Sequence, residues 1–98
     1  MQELFKVMGK YLQTKRVDQN LSQGQVASKL GYSSPQFISN IERGLCAPPL
    51  RKLKKIINLY NLNGEEVMEL ILDQQESHLR KTLGLGGKAL RKKRKLDS

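Results

Sequence analysis

The sequence predicts an all-α protein, and three observations support that class. Apolar residues recur at helical spacing through most of the first 80 positions, so that each segment has one apolar face. Two segments begin with a Ser or Asn followed three residues later by Gln or Glu, which is a typical helix start. No stretch alternates apolar and polar residues as a half-buried strand would. We therefore expect five helices and no strand.

The composition indicates one small domain with a modest aliphatic core. The 98 residues are 38% apolar and include two Phe, three Tyr and no Trp. No apolar run approaches the roughly 18 residues that cross a bilayer, and the N-terminus lacks the pattern of a secretory signal. Cys46 is the only cysteine, which excludes an internal disulfide and a cysteine-based zinc cluster. We expect a cytoplasmic protein that has no metal and no cofactor.

The first two helices are predicted over about 2–17 and from Ser22 onward. One face of the first helix carries five apolar residues at helical spacing: Leu4, Phe5, Met8, Tyr11 and Leu12. Ser22 and Gln25 form a predicted capping box, and Leu21 and Val26 a predicted hydrophobic staple. Gly31 is expected to end the second helix in the left-handed conformation.

The third helix is predicted over about 34–43. Ser34 is expected to cap it and Pro35 to take its first position, where a missing N–H has no cost. The fourth helix is expected to begin at Pro49. Its predicted inner stripe consists of Leu50, Leu53, Ile56, Ile57 and Tyr60.

The fifth helix is predicted over about 63–82, with Asn63 and Glu66 as a second capping box. The chain would then consist of a domain over 1–83 and a basic tail over 84–98. The tail has no apolar face, so we expect it to be disordered.

The charges are unevenly distributed along the chain. The formal net charge is +9, made of +7 in residues 1–60, −5 in residues 61–79 and +7 in residues 80–98. A basic body attracts polyanions, and nucleic acid is the first candidate. The simpler interpretation, charge for solubility, remains open.

The third helix is rich in uncharged hydrogen-bonding side chains. The second and third helices, joined by a short turn at Gly31, have the arrangement of a helix-turn-helix, whose second helix lies in the major groove of DNA. Amides and hydroxyls can discriminate between base edges, whereas a charged face would bind phosphate at any sequence. Four outward residues have this character: Ser34, Gln36, Ser39 and Asn40.

The stretch "LSQGQVASKLGYSSPQFISNIERG" resembles the helix-turn-helix of the Cro/XRE repressor family, also called lambda-repressor-like. The resemblance extends over about residues 4–72, and it rests most specifically on the "LSQ" start and the "IERG" close. It implies a five-helix lambda-repressor-like DNA-binding domain that regulates transcription. The segment "GYSSPQF" is one residue longer than the family's usual turn, which leaves two registers for the start of the recognition helix.

The resemblance and the residue chemistry together suggest the candidate contacts. Base contacts are expected from Ser34, Pro35, Gln36, Phe37, Ser39 and Asn40. Phosphate contacts are expected from Gln23, Arg43, Lys52 and Lys55. Further phosphate contacts are expected from the tail residues Arg91, Lys92, Lys93, Arg94 and Lys95. Several have a simpler alternative: Ser34 as a cap, Phe37 as core, Gln23 as plain surface, and Gln36 and Asn40 as solvated residues.

The expected function is repression by a homodimer on a palindromic or pseudo-palindromic operator in the bacterial nucleoid. One short recognition helix reads too few base pairs to find a site alone. The expected dimer surface is the fifth helix around Leu72, Gln75 and Leu79.

Three rival classes of function have less support in the sequence. An antitoxin of the same family, which binds a partner protein through the fifth helix or the tail and represses its own promoter, is the main alternative. RNA binding would favour exposed aromatics on a sheet, which the sequence does not predict. An enzyme is disfavoured because the only histidine, His78, lies far along the chain from Cys46, and no catalytic pair is evident.

Overall fold

The computed structural model describes residues 2–86 of the chain, with side chains from Phe5 onward. Within this range the chain forms five helices and no strand, which confirms the predicted all-α class. The helices are α1 (Gln2–Asp18), α2 (Gln23–Leu30), α3 (Gln36–Glu42), α4 (Leu50–Leu59) and α5 (Gly64–Leu83). The division of the chain into a domain and a tail at residue 83 stays a prediction.

The core lies where α3 packs against α1 and α2, while α1 also packs against α5. Eleven buried apolar residues form one cluster: Met8, Leu12, Val26, Ala27, Leu30, Ile38, Ile41, Leu53, Ile56, Tyr60 and Val67. All of these residues lie within the five helices except Tyr60, which directly follows α4. The burial of this apolar surface holds the short helices α2 and α3, which would not be stable alone. The third helix is therefore fixed by packing on two sides.

The approach of α1 to α3 depends on a glycine. A Cβ atom at Gly9 would overlap the carbonyl oxygens of Ile41 and Glu42 at the end of α3. The backbones of the two helices therefore meet directly at Gly9, and α1 sets the position of α3 through main-chain contact.

The start and end of α2 agree with the sequence prediction. The backbone N–H of Gln25 donates to Ser22 Oγ at 3.0 Å, and the N–H of Ser22 donates to Gln25 Oε1 at 2.8 Å. This reciprocal pair satisfies two backbone donors that the helix itself leaves without partners. Gly31 ends α2 with φ of 89°, a conformation that L side chains rarely adopt.

The N-cap and the first helical residue of α3 each lie one position later than predicted. Helical geometry begins at Gln36, and Pro35 takes the N-cap position that the sequence predicts for Ser34. The carbonyl of Pro35 accepts the first helical hydrogen bond, from the N–H of Ser39 at 3.0 Å. Ser34 Oγ still accepts from the N–H of Gln36, at 3.4 Å, so it covers one free donor from outside the helix. The helix ends at Glu42, one residue earlier than predicted.

Two further predictions were wrong in detail. Leu50 is predicted in the inner stripe of α4, but it lies in the first turn, beyond the core, and is 79% exposed. At the start of α5, Asn63 accepts from the N–H of Glu66 at 3.0 Å as predicted. The Glu66 carboxylate does not complete the box, because it accepts from the Tyr11 hydroxyl of α1 at 3.1 Å. This bond helps to join α5 to α1.

The helix α5 is the longest of the five, with 20 residues, and it ends at Gly84 in the left-handed conformation. Within the described range, none of the helices combines the length and apolar character that crossing a bilayer requires.

Candidate nucleic-acid interface

The helix α3 has two faces of different chemistry. Its inner face carries Ile38, Ile41 and Glu42, all of which are buried. Its outer face carries Gln36, which is exposed, and Asn40 one turn later, which is half-buried. This outer face holds two of the six residues that the sequence predicts as base contacts, Gln36 and Asn40.

Three side chains on the outer side of α3 are joined by hydrogen bonds to one shared oxygen. Gln36 Nε2 donates to Asn40 Oδ1 at 2.9 Å, and an Arg43 Nη2 donates to the same oxygen at 2.8 Å. All three groups lie toward solvent. We call the set of Gln36, Asn40 and Arg43 the outer network. It combines two residues predicted to contact bases with one predicted to contact phosphate.

An open recess of about 250 Å³ lies at the start of α3. The rings of Tyr32 and Phe37 form one wall, with centroids 4.9 Å apart and planes tilted by 51°. Ser33 and Ser34 lie at its rim, and both are exposed. Phe37 also packs against the core, so it belongs both to the core and to the surface that is predicted to meet DNA. Pro35 is exposed beside it.

The inner face of α3 contains a buried ion pair. Arg16 of α1 contacts Glu42 through Nε–Oε2 at 2.5 Å and Nη2–Oε1 at 3.1 Å, with only 11% and 3% of the two side chains exposed. Arg16 Nη1 also donates to the carbonyl of Leu21 at 2.7 Å. Hydrogen bonding to Glu42 raises the pKa of Arg16 above its ordinary value. The pair therefore ties α1, the chain before α2, and α3 together.

Gln23 joins this pair. Its Nε2 donates to Glu42 Oε1 at 2.8 Å, and the side chain is half-buried. We call the set of Arg16, Gln23 and Glu42 the inner network. The sequence predicts Gln23 only as a phosphate contact; its amide nitrogen has a second hydrogen that remains for such a contact.

The two predicted lysine contacts differ in their surroundings. Lys52 Nζ donates to the carbonyl of Leu30 at 2.7 Å and lies 5.3 Å from the centroid of the Tyr32 ring. It therefore stabilises the end of α2 and the turn that follows. Lys55 is exposed, beside Lys29 at the edge of a separate open recess.

The predicted tail contacts lie outside the described residues. They are Arg91, Lys92, Lys93, Arg94 and Lys95.

The inner network was missed by the sequence analysis, although two signals were present. Glu42 follows Ile38 by four residues and so falls on the apolar face of its helix. Arg16 follows Leu12 by four residues in the same way. A single acid and a single base, each within an apolar stripe, indicate a buried pair because neither charge is tolerated alone in a core.

Comparison with protein families agrees with the helix-turn-helix arrangement of α2 and α3. A family model described as Helix-turn-helix matches residues 12–67, which is more than half of the chain and includes α2, α3 and the turn between them. Comparison with curated proteins and with solved structures finds no match. The chain thus belongs to the helix-turn-helix family of the Cro/C1 type, also called the XRE family, whose members are DNA-binding transcription regulators.

Proposed function

We propose that this DNA-binding regulator is a homodimeric repressor that recognises a specific double-stranded operator with α3 in the major groove. The observation that carries the proposal is the outer face of α3. Its uncharged amides, Gln36 and Asn40, can distinguish base edges. The opposite face is fixed in the core, so the amides are presented on a rigid element.

The length of α3 supports recognition by two copies. Seven residues give a helix of about 10 Å, which reaches the edges of only a few base pairs. A DNA sequence of so few base pairs recurs often in any genome, so a second half-site is needed to distinguish the operator from other sites. Two-fold dimers bind half-sites about 10 base pairs apart, or a multiple of that spacing.

The helix α5 carries a surface suited to a second copy. Met68, Leu72, Gln75 and Leu79 follow one another at intervals of four, three and four residues, which places them on one stripe of the helix. Met68 is 40% exposed and Leu79 is 55% exposed, so the stripe is not used by the core. We propose that this stripe, continued by the exposed Leu83, packs against its copy in a symmetric dimer.

Basic groups around α3 would bind the DNA backbone. Arg43 and Lys55 are exposed, and Gln23 lies at the first position of α2, where free backbone N–H groups favour an anion. Lys52 retains further N–H donors beside its bond to Leu30. The basic tail would add contacts that carry no sequence information. The protein would then act in the bacterial nucleoid.

Selection of binding sites from random duplexes tests the proposal, together with sedimentation of the free and bound protein. The expected result is a palindromic or near-palindromic site occupied by two copies. Leu79→Glu should give a monomer that binds the full site weakly. Val17→Glu is a matched control, because Val17 is 56% exposed on α1 and lies outside the stripe; it should remain dimeric.

Two results would contradict the proposal. One is a monomer bound to a site without symmetry, and the other is the absence of any selected sequence. Co-purification of a small partner protein that occupies α5 would favour the antitoxin alternative over a simple homodimeric repressor.

A further inference from the structure

The outer network fixes which atoms of Asn40 and Gln36 are free to bind DNA. Arginine carries only hydrogen-bond donors. The Asn40 atom 2.8 Å from Arg43 Nη2 must therefore be the acceptor Oδ1, whichever way an amide would otherwise turn. The Gln36 atom 2.9 Å from that oxygen must in turn be a donor, Nε2. The orientation of both amides thus follows from the chemistry of Arg43.

The two amides consequently present different groups. Asn40 Oδ1 already accepts two hydrogen bonds, so the group left for a base edge is the donor Nδ2. Gln36 has used one hydrogen of Nε2, which leaves its other N–H and the acceptor Oε1. Residue type alone would give both amides the same role, because a free Asn or Gln amide pairs best with adenine N6 and N7 and the sequence carries no information on these bonds.

From this we infer that Asn40 reads guanine and Gln36 reads adenine, with Arg43 as the positioning residue that sets the difference. The inference rests on the proposed function and specifies its operator. In the major groove guanine offers two acceptors, N7 and O6, to the donor Nδ2. Adenine offers one acceptor, N7, beside an amino donor that an N–H group cannot satisfy, and cytosine offers only an amino donor. Thymine offers the single acceptor O4, so it ranks between guanine and cytosine.

The complementary case holds for Gln36. Its remaining N–H can donate to adenine N7 while its Oε1 accepts from the adenine amino group. A helical turn separates the two amides, so a half-site should contain one guanine dependent on Asn40 and one adenine dependent on Gln36.

The test compares site selection by four proteins: the natural chain, Asn40→Asp, Arg43→Ala and Arg43→Lys. Thermal melts check that each is folded; Arg43 is exposed and Asn40 half-buried, so folding should survive. Asn40→Asp keeps an acceptor for Gln36 and Arg43 but presents an oxygen to the groove. It should replace guanine by cytosine, whose amino group is a donor, at one position of each half-site.

Arg43→Ala frees Asn40 to turn. The preference of about 10-fold or more for guanine over adenine at that position should then fall to a few-fold. Arg43→Lys retains a donor and should restore part of the preference. A substitution that removed only a phosphate contact would weaken all sequences equally and leave the preference unchanged.

The outcomes separate this inference from the proposed function. If the natural chain selects a palindrome in which the position altered by Asn40→Asp is adenine, the inference is overturned while the repressor assignment stands. An unchanged base preference in Arg43→Ala overturns the positioning role of Arg43. If no sequence is selected by the natural chain, both are overturned.

Discussion

The inner and outer networks meet opposite faces of the same short helix, α3, and use similar groups, yet they differ in burial. Glu42 and Arg43 are neighbours in sequence. Glu42 points into the core, where it meets Arg16 and Gln23. Arg43 points to solvent, where it meets Asn40. Each network joins one charged arginine to a side-chain oxygen, and each contains a glutamine amide.

This difference shows that burial decides whether a polar contact contributes to the stability of the fold or remains available for binding. A buried charge that loses its partner has no water to replace it, so the inner network governs whether the helix stays in place. The outer groups can exchange partners with water at little cost. Their remaining donors and acceptors can bind DNA, and so they govern what the helix reads.

The largest expected effect is on the inner network. Glu42→Ala should lower the free energy of unfolding by about 3–5 kcal/mol, because it leaves the Arg16 guanidinium buried without its counter-charge. Chemical denaturation followed by circular dichroism measures this. Glu76→Ala is the matched control, because it removes one glutamate from the more exposed pair with Arg80 on α5, and it should cost no more than about 1 kcal/mol. Equal losses in the two variants would contradict the comparison.

The next effect is on the outer network and should appear in binding alone. Asn40→Ala should weaken the selected operator by about 1–3 kcal/mol and random duplex much less, because it removes a base contact. Its free energy of unfolding should change by about 0.5 kcal/mol or less, since the two hydrogen bonds that it removes are exposed to water. Binding titrations and denaturation of the same sample give both numbers. A large loss of stability would show that the outer face supports the fold.

Gln23 is expected to show both kinds of effect, because it belongs to the inner network and lies at the start of α2. Gln23→Ala should cost about 1 kcal/mol of stability through its bond to Glu42. It should also weaken specific and random DNA by similar factors, as removal of a phosphate contact would. A change of base preference in this variant would place Gln23 with the outer network.

The smallest effect concerns pH. Burial, with the nearby Glu42 carboxylate, raises the pKa of Tyr60 to about 12 from an ordinary value of 10.0. The folded state therefore keeps the phenol proton longer than the unfolded chain does, so stability should be unaffected below pH 10 and fall between pH 10 and 12. Near pH 10.5 the loss from this group should be below about 1 kcal/mol.

Tyr60→Phe should flatten that fall when unfolding is measured at several pH values. Burial and the Glu66 bond raise the pKa of Tyr11 to about 12 as well. Tyr11→Phe should therefore flatten the fall in stability in the same way, and it is the variant with which Tyr60→Phe is compared. An identical pH dependence in the natural chain and Tyr60→Phe would exclude the contribution of Tyr60.

Local signals were sufficient to predict most of the fold. The capping box at Ser22 and the stop at Gly31 involve residues close in sequence, and both occur as predicted. The start of α3 was displaced because Pro35 takes the N-cap position and not the first helical position that proline usually favours, and no local signal indicates this. Leu50 was misplaced because periodicity gives the direction of a side chain and not how far the core extends.

The site was less predictable, because its bonds either depend on side-chain rotamers or join distant parts of the chain. The residues of the outer face were identified from their chemistry, and their roles on DNA remain predictions. Their mutual bonds depend on rotamers that spacing does not specify. The bond of Lys52 to the carbonyl of Leu30 spans 22 residues, and no local pattern indicates it.

The presence of glycine at position 9 has a consequence for the evolution of such a regulator. Because α1 contacts the main-chain atoms of Ile41 and Glu42, the packing of α1 against α3 does not depend on which residues of α3 face outward. Substitutions at Gln36, Ser39 or Asn40 can therefore be sampled without loss of the folded state. A duplicated gene could acquire a new operator in a few mutational steps, while Gly9 itself would tolerate almost none.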